Sequence, residues 1–144
     1  MSAAEYLLPR ADHVLICVNP LAGSGARRRR RRIGRLQEML VAAGLRVEVH
    51  QQLEGLRQRA ERLQAEGRLR VVVGAGGDGT LHQLLNHLEA GIPLAMLPLG
   101  TENLLAKYVG HRRKLSALAA LIQQGRVVRL DAGRANGRLF LLMA

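Results

Sequence analysis

The stretch from Arg70 to Leu88, RVVVGAGGDGTLHQLLNHL, constrains the fold more than any other part of this chain. A short β-branched run, Val71 to Val73, stops at the glycine-rich segment 74–80. Beyond it Leu81, Leu84, Leu85 and Leu88 recur at i, i+3, i+4 and i+7. The pattern predicts a strand, a glycine loop and a helix. Glycines there allow positive φ and let a ligand approach the backbone closely, while the N–H groups opening the helix point into the same space. Such a corner favours anions, phosphate above all. A carboxylate beside phosphate repels it unless it handles a proton or a cation, so Asp78 is the candidate for chemistry. The bland alternative is a tight turn and nothing more. Gly74, Gly76 and Gly79 also match G-x-G-x-x-G, but a dinucleotide fingerprint belongs on a first strand with an acid about twenty positions on. This loop is third in the chain, and Glu102 follows another turn.

The remaining segments read as repeats of the same unit. Val14 to Val18 is an apolar run suited to a strand buried on both faces, and it ends at NPLAGSG, residues 19–25. Ser24 is placed to cap the next helix, on which Ile33, Leu36, Met39, Leu40 and Ala43 share a face and Gly44 takes the C′ position. Val47 and Val49 alternate with Glu48 and His50, as in a strand nearer a sheet edge. Leu56, Ala60 and Leu63 mark a helix ending at Gly67. After the central unit, which stops at Gly91, Pro93 to Leu97 predicts a fourth strand closed by PLGTEN, residues 98–103. Leu104 to Val109 reads as a short helix, and Leu115, Leu118, Ala119 and Ile122 as another before Gly125. Val127 to Ala135 and Arg138 to Ala144 flank Asn136-Gly137, a hairpin signal.

Strand and helix alternate with connections too long for hairpins. The expected fold is therefore α/β: a three-layer, Rossmann-like parallel sheet with helices on both faces, ending in an antiparallel hairpin. Residues 1–12 show no periodicity and are expected to be a frayed leader to a domain spanning 13–144. Ligands of such sheets bind at the carboxyl ends of strands, where all three glycine loops fall. The last strand, Leu139 to Met143, is apolar throughout and expects cover from another domain or a second subunit.

Composition narrows the partners. The 144 residues carry a formal charge of +11, and of 22 basic residues only Lys107 and Lys114 are lysine. Six arginines, Arg27, Arg28, Arg29, Arg30, Arg31 and Arg32, open the first helix, where cations oppose the helix dipole. A solvated turn, an anionic membrane and a nucleotide phosphate all remain compatible with that run. Nucleic acid is disfavoured, because single-strand recognition uses aromatic stacking and only Tyr6, Tyr108 and Phe140 are aromatic. The lone Cys17 allows no internal disulfide, and no segment approaches the roughly eighteen apolar residues of a membrane span. These features suggest a cytoplasmic protein. His82 and His87 are five apart, off the spacing for two ligands on one helical face, so no zinc site is expected.

Taken together, NPLAGSG (19–25), GGDGTL (76–81) and PLGTEN (98–103) resemble the three motifs of the diacylglycerol kinase catalytic domain family, which includes bacterial lipid kinases and sphingosine kinases. The middle motif is shared with NAD kinases; the outer two argue for the lipid-kinase branch. The resemblance implies transfer of the γ-phosphoryl of ATP, with Mg2+, to a lipid hydroxyl. It implies ATP contacts at Asn19, Pro20, Leu21, Ala22, Gly23, Gly76, Gly77, Asp78, Gly79, Thr80, Leu81, His82 and Thr101, with Asp78 catalytic. It also implies a second, β-rich domain after this one, without which the chain would be inactive. Three positions depart from the family pattern: His82-Gln83 stands for Asn-Glu, Glu102 for a small residue, and Gln51 or Gln52 for a threonine after the second strand. An NAD-kinase-like phosphotransferase and a non-catalytic module binding anions or membrane are the competing expectations.

Overall fold

The computed structural model describes residues 5–18, 25–99, 114–127, 133–135 and 138–140. Its centre is a four-stranded parallel sheet made of β2 (His13–Val18), β3 (Arg46–His50), β4 (Leu69–Gly76) and β5 (Leu94–Pro98), in the order β3-β2-β4-β5. Helices α1 (Ala26–Ala42), α2 (Leu53–Ala65), α3 (Asp78–His87) and α4 (Leu115–Gln124) cover it.

Burial on both faces explains the continuous apolar runs. Val14 and Ile16 of β2 and Val71, Val73 and Ala75 of β4 join Ile33, Leu36 and Leu40 of α1 and Leu118, Ala119 and Ile122 of α4 in one core. Leu15, Cys17 and Val72 point the other way, onto Leu56, Ala60 and Leu63 of α2 and Leu84 of α3. Each strand residue thus alternates between two helical layers. The edge strand β3 is only partly covered, and against its polar alternation Val49 is exposed while Glu48 and His50 are half-buried. The parallel α/β expectation holds, and so does the closing antiparallel pair, β7 (Gly133–Ala135) with β8 (Arg138–Phe140).

Four details differ from the sequence reading. Residues 5–12 are no frayed leader: β1 (Glu5–Tyr6) pairs antiparallel with β6 (Arg126–Val127), and the Leu7 N–H donates to the Gly125 carbonyl at 2.9 Å. Two-residue strands carry no periodicity, so nothing local announces them. Second, the strand expected over Val127 to Ala135 differs at its start, where Val127 pairs with Glu5 rather than in the hairpin that Gly133–Ala135 joins; residues 128–132 lie outside the described residues. Third, α1 is not opened by a serine; its N-cap is Gly25, at φ 85°, with no side-chain hydrogen bond. That left-handed conformation suits glycine. Fourth, the glycines of the central loop do not use positive φ: among the described residues only Gly25, Gly44, Gly67, Gly91 and Gly125 do. The expected helix over Leu104 to Val109 and the Asn136-Gly137 turn lie outside the described residues.

The amino end of the sheet holds a buried cation. Pairing of β2 with β4 runs His13 to Leu69 and then Val14 to Val71, so the register skips Arg70. Freed from the pleat in the manner of a bulge, its guanidinium donates to the carbonyls of Ile122 (2.6 Å), Ala11 (2.7 Å) and Gln123 (2.5 Å). Arg70 therefore satisfies the carboxyl end of α4 and ties in the segment before β2. Burial pushes its pKa down, yet an arginine stays charged there.

Candidate functional site

The order β3-β2-β4-β5 reverses direction between β2 and β4, from which the chain runs outward to opposite edges. A crevice at the carboxyl ends of those two strands is the expected ligand position of a doubly wound sheet. Val18 of β2 pairs with Ala75 of β4, so the segments leaving both strands start side by side. α1 follows from β2, and α3 follows β4 after the single residue Gly77.

That abrupt strand-to-helix junction explains the glycines. α3 packs back over its own strand so closely that a Cβ on Gly74 would lie 2.9 Å from Leu84 Cδ1. One on Gly76 would collide with Thr80 Oγ1 and lie 3.2 Å from Thr80 Cβ. The requirement is space beneath the helix rather than an unusual dihedral. Gly77 itself is extended, at φ −107° and ψ −165°.

The first turn of α3 sorts the expected site residues. Asp78 is the first residue of the helix. Thr80 is half-buried over Gly76, and its N–H donates to the Gly77 carbonyl at 3.1 Å; the Leu81 N–H reaches the same oxygen at 3.4 Å. The donors of this turn not spent within the helix are thus the N–H groups of Asp78 and Gly79. Gly79 is exposed, with nothing within 4 Å of where a Cβ would stand. Leu81 is 3% exposed, so its side chain belongs to the core. His82 is half-buried, and among the described residues its buried Nε2 has no hydrogen-bond partner. The third motif approaches the same turn, because the Leu99 N–H donates to the Gly76 carbonyl at 3.1 Å. Asn19, Pro20, Leu21, Ala22, Gly23 and Thr101 lie outside the described residues.

On the same rim but with β2 between, β3 ends at His50, which pairs with Cys17, and exposed Gln51 and Gln52 lead into α2. His50 Nε2 lies 3.2 Å from Glu48 Oε1, and Arg59 of α2 grips the same carboxylate with Nε at 3.2 and 3.0 Å. The Arg59 hydrogen bonds hold Glu48 below its ordinary pKa against the opposing effect of burial. Sequence reading missed this cluster, since eleven residues and a change of element separate Glu48 from Arg59. Burial pushes the Cys17 thiol up, away from reactivity. Among the described residues no group of three or more His, Cys, Asp or Glu could hold a metal ion, and no helix is long and apolar enough to cross a membrane.

A doubly wound parallel sheet with a glycine-rich strand-to-helix junction at its switch point defines a class of α/β domains. Within that class, the diacylglycerol kinase catalytic domain matches residues 13–135, and the chain belongs to that family. A Pseudomonas aeruginosa protein named "Probable lipid kinase YegS-like" is 44% identical over 77 residues, 51% of this chain and 25% of that protein. A Staphylococcus saprophyticus protein named "Diacylglycerol kinase" is 31% identical over 77 residues, again 25% of its length. The crystal structure of a diacylglycerol kinase from Bacillus anthracis matches with a TM-score of 0.69 at 27% identity, covering 90% of this chain and 46% of that one. The chain thus corresponds to less than half of each of these relatives.

Proposed function

We propose that this chain is the nucleotide-binding domain of a cytoplasmic kinase that transfers the γ-phosphoryl of ATP to the hydroxyl of a lipid of the diacylglycerol or sphingoid kind. The observation that carries the reading is the junction at Gly77, where β4 passes into α3 and the N–H groups of Asp78 and Gly79 have no backbone acceptor among the described residues. Family membership supplies the reaction class.

In this reading the Asp78 and Gly79 N–H groups receive a phosphate of ATP, and bare Gly79 leaves room for it. Thr80 and Leu81, whose N–H groups are held by Gly77, shape the turn. His82 contacts the nucleotide by analogy with the family motif. Asn19, Pro20, Leu21, Ala22, Gly23 and Thr101 contact the nucleotide by analogy with the family motifs. Mg2+ would come with ATP, and Asp78 is the residue of this turn that would hold it. When bound, it neutralises charge on the transferring group. Asp78 then acts on that ion or on the acceptor hydroxyl, and its part is positioning and charge stabilisation. The acceptor is bound by a β-rich second domain, a feature supported by the share of the Bacillus anthracis structure lying outside the match.

Thermal denaturation of the 144-residue chain with Mg-ATP tests the reading. At about a hundred times its dissociation constant, a ligand adds roughly 2.7 kcal/mol, several degrees for a domain of this size. A larger shift with NAD would replace the lipid kinase by an NAD-kinase-like enzyme, and no shift with either would leave an anion-binding module.

A further inference from the structure

We infer that one face of α1, made by Arg27, Arg28, Arg31 and Arg35, is a docking surface for anionic lipid headgroups, which brings the carboxyl rim of the sheet to a membrane. The inference deepens the lipid-kinase reading and rests on it only for the source of the acceptor.

The arginine run does not act as one block. Ile33, Leu36 and Leu40 turn the opposite side of α1 into the core. Arg29 and Arg32, on the flanks of that side, are half-buried and engaged by other groups. Arg27, Arg31 and Arg35 recur every four residues on the outer side, with Arg28 three before Arg31, and all four are exposed. Among the described residues none of these four makes an ion pair, whereas Arg57 reaches Glu54 and Glu61 and Arg59 reaches Glu48. The stripe runs about 12 Å along the helix and is closed by Glu38 on the same side.

For the chain alone this arrangement is unfavourable. No acid stands in the first turn of α1, so Arg27 and Arg28 face the positive end of the dipole without a counter-charge. Arg27 with Arg31 and Arg31 with Arg35 are like-charge i, i+4 pairs, which repel. An external anionic surface offsets these costs by its attraction for each guanidinium. A membrane fits better than nucleic acid, because no aromatic residue lies on α1 to stack on bases. Position agrees as well: α1 enters from the carboxyl end of β2, the rim on which the Gly77 turn also lies, so a membrane on the stripe lies beside the place where a lipid hydroxyl must meet ATP.

Co-sedimentation of the 144-residue chain with vesicles tests the inference. Binding is expected to phosphatidylcholine vesicles containing phosphatidylglycerol, to be absent with phosphatidylcholine alone, and to fade with salt. At about fivefold per basic residue, R27Q/R28Q/R31Q/R35Q weakens it roughly several hundredfold while keeping or raising Tm. A control with the same charge change at exposed positions elsewhere, R10Q/R62Q/K114Q/R126Q, retains most of it. Equal losses in the two variants, or wild-type binding indifferent to salt, would overturn the inference. Tighter retention by a DNA duplex than by anionic vesicles would also overturn it. The Mg-ATP shift is read on the same samples: its absence alongside intact vesicle binding refutes the nucleotide reading only, and the reverse result refutes only the docking face.

Discussion

Replacing Gly76 by alanine sets two effects of opposite sign against each other. Gly76 has no positive φ, so its backbone tolerates alanine. On that ground alone, the loss of unfolded-state entropy would stabilise the protein by about 0.4–1 kcal/mol. The new Cβ, however, would collide with Thr80 Oγ1 and stand 3.2 Å from Thr80 Cβ and 3.7 Å from its Cγ2. Rotation about χ1 can move the hydroxyl but not Thr80 Cβ. The Thr80 N–H is tied to Gly77 at 3.1 Å, so relief requires the first turn of α3 to lift from β4. Overpacking of this kind costs about 1–3 kcal/mol, which exceeds the entropic gain. The expected net loss is about 1–2 kcal/mol, a fall in Tm of roughly 3–8 °C. The same lift carries the Asp78 and Gly79 N–H groups, so the Mg-ATP shift should shrink with it. G76A/T80A, which removes Oγ1 and Cγ2 but keeps the Cβ of residue 80, should recover only part of the lost stability. Thermal denaturation of both variants, with and without Mg-ATP, makes the comparison. A rise in Tm for G76A with an unchanged Mg-ATP shift would refute the close-packing account of the central motif.

Two further substitutions separate stability from function. Arg70→Met keeps the aliphatic stem but leaves the carbonyls of Ile122, Ala11 and Gln123 without their donor. Relief of the buried charge offsets part of that loss, and about 2–4 kcal/mol, or roughly 10 °C in Tm, should remain; urea denaturation checks it, and a change below about 1 kcal/mol would show that the clamp is dispensable. Because Arg70 lies at the amino end of the sheet, the Mg-ATP shift of that variant should persist. Asp78→Asn should leave calorimetric ATP affinity equal or slightly higher. In a protein joining this chain to a β-rich second domain, it should lower lipid phosphorylation by at least about a hundredfold, and near-normal turnover would reduce Asp78 to a loop-shaping residue.

What the sequence determined by itself is local order and chemistry. Val14 to Val18 and Val71 to Val73 had to be strands buried on both faces, because apolar side chains alternating about a pleat need cover on each side. Leu81, Leu84 and Leu88 had to share a helical face. Three motifs in order were enough to point to the family. Tertiary structure alone decided the rest, wherever the cause joins residues far apart in the chain. Strand order, and with it the switch point between β2 and β4, depends on which crossovers pass over which edge. Glu5–Tyr6 becomes a strand only because Arg126–Val127 arrives beside it. Arg70 is a buried clamp because a register skip aims it at the end of α4. The glycines at 74 and 76 answer to Leu84 and Thr80 above them, a matter of distance between elements that no single-residue preference expresses. The arginine run looks uniform in sequence, and the helix rotation set by Ile33, Leu36 and Leu40 turns Arg27, Arg28, Arg31 and Arg35 outward while drawing Arg29 and Arg32 toward the protein.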